Sequence, residues 1–206
     1  MKHLKSFESL QSEMNFDKIS EILSNDCTQF LDLLREKNST TYPPINGLYR
    51  GATIHETPIV DGFWKMKPHE NRLSRDTKLS VQKIFDDELE KRFGIRLRSK
   101  GVFASKDISI ASDYGKFRKT SYLFIPTDGF RYFWNPKIED LFTYIRDEWW
   151  YQKDQFFWDR GAYNDIKSIC DGYQEGGIEQ VKWQELTFIC DSYYLLDLDY
   201  YDEFLK

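Results

Sequence analysis

The chain has 206 residues, a formal net charge of -5 and 17% aromatic residues. A chain of this length can bury a hydrophobic core, and it suggests one domain or one domain with a helical extension. The negative charge disfavours nonspecific nucleic-acid binding driven by overall charge. The sequence contains no run of about 18 apolar residues, so no membrane span is predicted.

Cysteine and histidine usage bears on compartment and metal binding. The three cysteines are far apart and include no CxxC pair, so we expect neither disulfides nor a cysteine-rich zinc site. The three histidines form no pair at ligand spacing, so we expect no metal. Residues 1–10 alternate charged and single apolar residues, unlike a signal peptide. We therefore expect a cytoplasmic protein in a reducing compartment.

The N-terminal part shows helical periodicity. Apolar residues recur at helical spacing over residues 7–37, and Ser24-Asn25-Asp26 predicts a break between two helices. Residues 38–47 form a polar connector that contains proline and glycine. We therefore divide the chain into a helical region with its connector, residues 1–45, and a second region, residues 46–206.

Beyond the connector, short helices and strands are predicted in a mixed order, whereas residues 53–74 lack periodicity. The strand at 130–134 is expected to pair with the strand at 120–125 across the Thr127-Asp128-Gly129 turn. The order lacks regular βαβ alternation, which indicates an α+β fold. The predicted helices are 78–93, 108–114 and 140–151, and the predicted strands are 48–49, 102–104, 120–125, 130–134, 185–190 and 193–198.

Residues 91–100, KRFGIRLRSK, carry five basic side chains in an otherwise acidic protein. One interpretation is a solvated rim, or a strand edge kept soluble by its charge. The other is a patch that meets the phosphates of a ligand or a nucleic acid.

Three separated polar residues lie beside predicted strands. Arg50 ends one strand and precedes Gly51, Ser105 follows the strand 102–104, and Glu185 opens the segment ELTFIC. A glutamate that points inward from a strand needs partners such as a cation or a hydroxyl group. Each residue also has a purely structural interpretation: a surface arginine, an N-cap serine and a solvated glutamate at a strand edge.

The segments LYRG, FASKD and WQELTF, in this order, resemble the ADP-ribosyltransferase fold, in its branch with an Arg–Ser–Glu triad. Tyr49-Arg50-Gly51 matches the first core strand of that family. Phe103-Ala104-Ser105 matches the start of its aromatic-x-Ser-Thr-Ser motif, and Glu185 matches its late glutamate. The resemblance spans about residues 46–198 and implies N-terminal helices followed by a mixed, split β-sheet core, with residues 46–206 as the catalytic domain.

Two departures from the family pattern affect the expected acceptor. Lys106 and Asp107 replace the Thr-Ser of the second motif. Trp183 stands two residues before Glu185, where the family has Glu or Gln. Because that position often helps to select the acceptor, the identity of the acceptor stays open.

The resemblance implies transfer of ADP-ribose from NAD through an oxocarbenium-like transition state, with no metal. Glu185, directed at the ribose 2′-hydroxyl, would stabilise the developing positive charge. Arg50 would hold diphosphate or ribose oxygens through forked hydrogen bonds that lysine cannot match. Gly51 would allow close approach of the dinucleotide, and Ser105 would orient Arg50 and Glu185.

Further contacts are hypothesised on both sides of this site. Residues 171–184 contain three glycines and predict a mobile loop before Glu185, from which Tyr173 and Trp183 would contact the acceptor. Residues 149–158 are dense in aromatic residues and either pack in the core, which we favour, or form an acceptor-binding face. The expected NAD-binding residues are Arg50, Gly51, Ala52, Arg72, Arg75, Phe103, Ser105 and Tyr114, although Arg72 and Arg75 are also typical of surface charge.

The leading hypothesis is a mono-ADP-ribosyltransferase of bacterial toxin or phage effector type that modifies a protein or a nucleic acid. An antitoxin or inhibitor partner would suit such a protein. One alternative is an NAD glycohydrolase that uses the same site with water as the acceptor. Another is a non-catalytic binding or inhibitor module of the same fold, against which the presence of Glu185 counts.

Overall fold

The computed structural model describes residues 7–38, 47–73, 79–113, 121–139, 141 and 160–198. The helices are α1 (Phe7–Asp26), α2 (Thr28–Asn38), α3 (Leu79–Phe93), α4 (Leu97–Lys100), α5 (Ile108–Asp113) and α6 (Arg160–Asp171). The strands are β1 (Tyr49–Gly51), β2 (Phe63–Met66), β3 (Val102–Ala104), β4 (Ser121–Pro126), β5 (Arg131–Trp134), β6 (Gln174–Glu175), β7 (Leu186–Ile189) and β8 (Tyr193–Asp197). A 3₁₀ turn covers Ile178–Gln180. None of the helices among these residues is long and apolar enough to cross a membrane.

The strands form two four-stranded sheets. The first sheet has the order β1-β4-β8-β2, and the second has the order β3-β7-β5-β6. Helices and sheets are therefore combined in an α+β fold, as predicted. Within the described residues every strand pair is antiparallel, so the expected mixture of parallel and antiparallel pairs is wrong for this part of the chain.

The predicted pairing of β5 with β4 is also wrong, because β5 pairs with β6 and β7 in the other sheet. The turn between them does not close a hairpin. Thr127 donates its backbone N–H and its hydroxyl to the Ser192 carbonyl at 3.1 and 2.8 Å, and the Asp128 N–H donates to the Asp26 carbonyl at 2.8 Å. These bonds to distant segments lead the chain from one sheet to the other.

Two hydrophobic cores hold the sheets and helices together. The first core joins the two sheets and includes Ile19, Leu23 and Phe30 of the N-terminal helices. The second core packs α3 and α6 against the second sheet. Side chains of β5 alternate between the two cores, as expected for a strand buried on both faces: Trp134 belongs to the first and Phe133 to the second.

Most other predicted elements are confirmed to within one or two residues, including the two N-terminal helices, which separate at Cys27. Gly94 ends α3 with a φ of +74°, a conformation that glycine adopts without strain. Four elements were not predicted: β2, which lies in the segment that lacked periodicity, β6, which lies in the segment predicted to be a mobile loop, α4 and α6. Apart from Leu141, the helix predicted at 140–151 lies outside the described residues, as does the aromatic segment 149–158.

Candidate active site

Strand register brings the three predicted site residues together. In the pairing of β3 with β7, Ala104 lies opposite Leu186, so one step further along this register places Ser105 opposite Glu185. Tyr49 of β1 exchanges backbone hydrogen bonds with Ser105, with N–O distances of 2.7 and 2.9 Å. The antiparallel bridge then sets Arg50 opposite Ala104. Directly opposed residues in antiparallel strands lie about 5 Å apart, so Ser105 and Glu185 are neighbours. Arg50 follows Tyr49, the residue opposed to Ser105.

Arg50, Ser105 and Glu185 line one pocket that opens to solvent. Its walls are mainly apolar, and three polar side chains converge in it, as is typical of a small-molecule site. The other lining residues are Tyr49, Gly51, Phe103, Ala104, Ile110 and Ala111.

Arg50 lies in the middle of β1, and part of its hydrogen-bonding capacity is unused. Its Nη1 donates to the Phe103 carbonyl at 2.6 Å, and its Cζ lies 5.7 Å from the centre of the Tyr193 ring. Among the described residues, its buried Nε has no hydrogen-bond partner. A buried donor without a partner is costly, so an anionic ligand oxygen at this position would be favourable.

Glu185 is buried in an ion pair that the sequence did not predict. Arg98 Nη1 donates to Glu185 Oε1 at 2.6 Å, and the two side chains are only 10% and 8% exposed. The backbone of Glu185 is also held, because its N–H donates to the Glu139 carbonyl at 2.8 Å. The Glu185 carboxylate therefore has a fixed position and a cationic partner.

Arg98 was not among the predicted site residues, although it lies in the basic stretch 91–100 that the sequence shows. Several basic side chains of that stretch form ion pairs within the protein: Lys91 pairs with Glu88, and Arg96 pairs with Glu90 and Asp87. Arg92 Nη1 donates to the Cys170 and Asp171 carbonyls at the end of α6. These contacts favour the interpretation of the stretch as a charged rim, and not as a patch that meets phosphates, with Arg98 as the member that contacts the pocket residue Glu185.

The hydrogen bond that the structure shows for the Ser105 hydroxyl joins it to Asp107, and not to Arg50 or Glu185 as predicted. Ser105 Oγ accepts from the Asp107 N–H at 3.0 Å, and Asp107 Oδ1 in turn accepts from the Ser109 N–H at 2.8 Å. This is the arrangement of a serine turn followed by a helix N-cap, and hydrogen bonds from Ser109 lower the pKa of Asp107. Arg98 donates a hydrogen bond to the Glu185 carboxylate.

Lys106 links the pocket strand to the segment before Glu185. Its Nζ donates to the Ile178 and Val181 carbonyls at 2.8 and 2.7 Å, and burial lowers its pKa. Lys106 and Asp107, which replace the Thr-Ser of the family motif, thus have local structural roles in this chain.

The other predicted NAD-binding residues are placed in different ways. Gly51 and Phe103 line the pocket, whereas Ala52 is half-buried against the first core. The Arg72 guanidinium lies 3.9 Å from the centre of the Phe103 ring, so it adjoins a wall of the pocket without lining it. Arg75 and Tyr114 lie outside the described residues.

The two predicted acceptor contacts differ in exposure. Trp183 is 47% exposed next to Lys182, a position open to a partner. Tyr173 is 3% exposed within the second core, where burial raises its pKa against the opposing effect of the nearby Arg98 cation. A macromolecule cannot reach a side chain buried to this extent, so the placement corrects the prediction for Tyr173.

The segment 171–184, predicted to be a mobile loop, is attached at several points. It contains β6 and the 3₁₀ turn, and the Gly176 carbonyl accepts from Trp134 Nε1 at 2.8 Å. The Ile178 N–H donates to the Tyr132 hydroxyl at 3.2 Å. Together with the Lys106 bonds, these contacts give the segment a defined path to Glu185.

No group of three or more His, Cys, Asp or Glu side chains arranged to hold a metal ion occurs in the described part of the chain. Comparisons of the chain with models of known protein families, with characterised proteins and with solved structures found no match.

Proposed function

We propose that the protein is an NAD-dependent ADP-ribosyltransferase that transfers ADP-ribose to a macromolecular acceptor and releases nicotinamide. One observation carries the proposal: strand register and a shared pocket unite Arg50, Ser105 and Glu185, which are up to 135 positions apart in the sequence. These are the residues on which the resemblance to the Arg–Ser–Glu branch of the ADP-ribosyltransferase fold depends.

The chemistry of the pocket fits this reaction. Breaking the bond between nicotinamide and ribose develops positive charge on the sugar carbon, the same problem that glycosidases solve with carboxylates. Glu185 supplies a carboxylate in a largely apolar pocket, where its electrostatic effect is stronger than in water. Apolar walls from Tyr49 and Phe103 suit the flat nicotinamide ring.

Arg50 supports the binding of the dinucleotide. Its unpaired Nε, among the described residues, can donate to a phosphate or ribose oxygen while Nη1 stays on the Phe103 carbonyl. Gly51 adds no side chain beside the guanidinium, which leaves room for the diphosphate. The acceptor would approach near the exposed Trp183.

The direct test follows ADP-ribose from labelled NAD. The purified protein is incubated with NAD labelled in the adenylate part and with a cell lysate, and label is measured on protein and on nucleic acid while nicotinamide release is measured separately. Label on either macromolecule supports the transferase. Nicotinamide release without macromolecular label would indicate the glycohydrolase, and absence of turnover would indicate a binding or inhibitor module.

Glu185→Gln removes the charge while keeping the shape of the side chain. We expect a loss of turnover of about a hundredfold or more, as for other groups directed at transition-state charge. Glu179→Gln, an exposed glutamate six positions earlier, is the matched control and should keep wild-type turnover. Full activity of Glu185→Gln would show that the carboxylate was wrongly assigned, and Glu179 would then be the next candidate.

A further inference from the structure

We infer that Arg98 is a positioning residue for Glu185, whose guanidinium sets the orientation of the carboxylate toward the ligand. The inference rests on the proposed function and adds a residue outside the Arg–Ser–Glu pattern. Its basis is the buried contact of 2.6 Å between Arg98 Nη1 and Glu185 Oε1. Because Glu185 lines the pocket, a group that fixes Oε1 also fixes the plane of the carboxylate and the direction of Oε2.

Arg98 is itself held by aromatic contacts. Its Cζ lies 4.2 Å from the centre of the Phe103 ring, against which Arg72 also lies at 3.9 Å. Phe103 also lines the pocket. The same ring therefore forms a wall of the ligand site and supports the residue that orients Glu185.

The backbone of Arg98 is attached to α3 through a buried carboxylate. Asp86, which is 3% exposed, accepts hydrogen bonds from the backbone N–H groups of Arg98 and Ser99 at 2.7 and 3.2 Å. These N–H groups lie at the start of the short helix α4, where backbone donors have no partner within the helix, and Asp86 supplies that partner. The position of Arg98 is therefore set by α3 and does not depend on the side chain alone.

Close packing of α4 on β7 completes the arrangement. A Cβ on Gly101 would lie 2.2 Å from Cγ2 of Thr187 and 2.3 Å from the Leu97 carbonyl oxygen. Only glycine fits at this approach, because real Cβ atoms do not come so near to other atoms. Since Thr187 lies two residues after Glu185, the close contact brings α4 within reach of the carboxylate.

An arginine suits this task better than a lysine. The guanidinium is planar, so it can lie flat on Phe103 while an N–H in the same plane meets the carboxylate. A lysine keeps the charge but has a point-like ammonium that fixes no plane. Misplacement of a reacting group by about 1 Å can cost roughly a hundredfold in rate, so loss of orientation alone is measurable.

The experiment compares Arg98→Lys and Arg98→Met with the wild-type protein. We expect kcat for nicotinamide release to fall by roughly tenfold in Arg98→Lys and roughly a hundredfold in Arg98→Met, with KM for NAD within about threefold. NAD binding, measured separately by calorimetry, should also stay within about threefold, since a positioning residue acts after binding. Arg96→Lys and Arg96→Met are matched controls, because Arg96 forms surface ion pairs two positions away and should leave turnover unchanged.

Each outcome decides the inference. Wild-type kcat in a folded Arg98→Lys and Arg98→Met would overturn it, and so would an unchanged kcat with weakened NAD binding, which would mark Arg98 as a binding residue. If Arg98→Met does not fold, Arg98→Lys, which keeps the charge, decides alone. Absence of turnover by the wild-type protein would remove the proposed function and this inference together, whereas wild-type turnover that does not depend on Arg98 would remove only the inference.

Discussion

The buried ion pair between Arg98 and Glu185 allows a stability experiment that does not depend on any assignment of function. The perturbation is a double-mutant cycle of Arg98→Met, Glu185→Gln and the double variant. Each single substitution removes one charge of the pair and leaves the other charge in a buried site, because the two side chains are 10% and 8% exposed. The double variant removes both charges, so it should lose less stability than the sum of the single variants.

The expected magnitude follows from the geometry of the pair. The N–O contact is 2.6 Å, and charge centres roughly 4 Å apart at an effective dielectric constant of 20 interact by about 4 kcal/mol. Removing one partner of a buried pair typically costs about 3–5 kcal/mol. Glu185→Gln should lie at the lower end, because its amide oxygen still accepts from the guanidinium. Coupling energies of contacting groups reach about 3 kcal/mol, so we expect a coupling of about 2–3 kcal/mol.

The chain supplies a matched control in Arg131 and Glu175. This pair has the same residue types and the same shortest distance, 2.6 Å, but its side chains are 40% and 41% exposed. Solvent screening should limit its coupling energy to about 1 kcal/mol or less. The control pair is also bidentate, since Arg131 Nη2 donates to Glu175 Oε2 at 2.8 Å, so a larger coupling energy of the Arg98–Glu185 pair would point to burial and not to better pairing geometry.

The assay is unfolding by urea at neutral pH, followed by tryptophan fluorescence and by far-ultraviolet circular dichroism. Coincident transitions from the two probes and equal m-values across the variants would justify two-state analysis. Coupling energies for the two pairs that agree within about 0.5 kcal/mol would refute the reasoning, because the buried contact would then be worth no more than the exposed one.

Three further predictions concern separate contacts. Arg50→Lys should weaken NAD binding by roughly tenfold in calorimetry, since lysine lacks the forked donors of the guanidinium. Gly101→Ala should lower the free energy of unfolding by at least about 1–3 kcal/mol in urea, because the added Cβ would lie 2.2 Å from Cγ2 of Thr187. Asp26→Asn should flatten the dependence of stability on pH in acid. The hydrogen bond from Lys65 lowers the pKa of Asp26 below its usual 3.8, so its contribution is present at neutral pH and is lost as the pH falls through about 4 and below.

Arg131→Lys, at an exposed ion pair, should leave NAD affinity unchanged, and equal affinity of Arg50→Lys would remove Arg50 from the site. Thr187→Ser removes the Cγ2 methyl and should recover part of the loss in Gly101→Ala. An unchanged urea midpoint of Gly101→Ala would contradict the close packing of α4 on β7. For the pH series, Asp32→Asn at an exposed pair is the control, and parallel acid profiles of the wild type and Asp26→Asn would contradict the role of Lys65.

The elements that sequence analysis predicted well are those with local signals. Apolar spacing and a terminal Gly94 marked α3, and a run of apolar residues marked β3 and β8. The elements that were missed have weak local signals or depend on distant partners. β2 is a four-residue strand with one polar residue, Lys65. It is stabilised by pairing with β8, where the rings of Phe63 and Tyr194 stack with their centres 4.9 Å apart.

The helix α6 shows a different limit. Its buried positions Ile166, Ile169 and Cys170 have helical spacing, so a signal was present in the sequence. The partner of β5 could not be derived in the same way. A short turn after β4 favours a hairpin locally, but bonds from Thr127 and Asp128 to remote backbone direct β5 to the other sheet.

The sequence by itself determined the types and order of the site residues: an arginine before a glycine, a serine after a short strand and a glutamate before another. It also determined the α+β class through local periodicity. Only the tertiary structure decided that Ser105 lies opposite Glu185, that Arg50 joins them through β1, and that Arg98 meets the carboxylate. The physical reason is that strand register and the packing of α4 on β7 are set by contacts between residues remote in the chain, which no local pattern records.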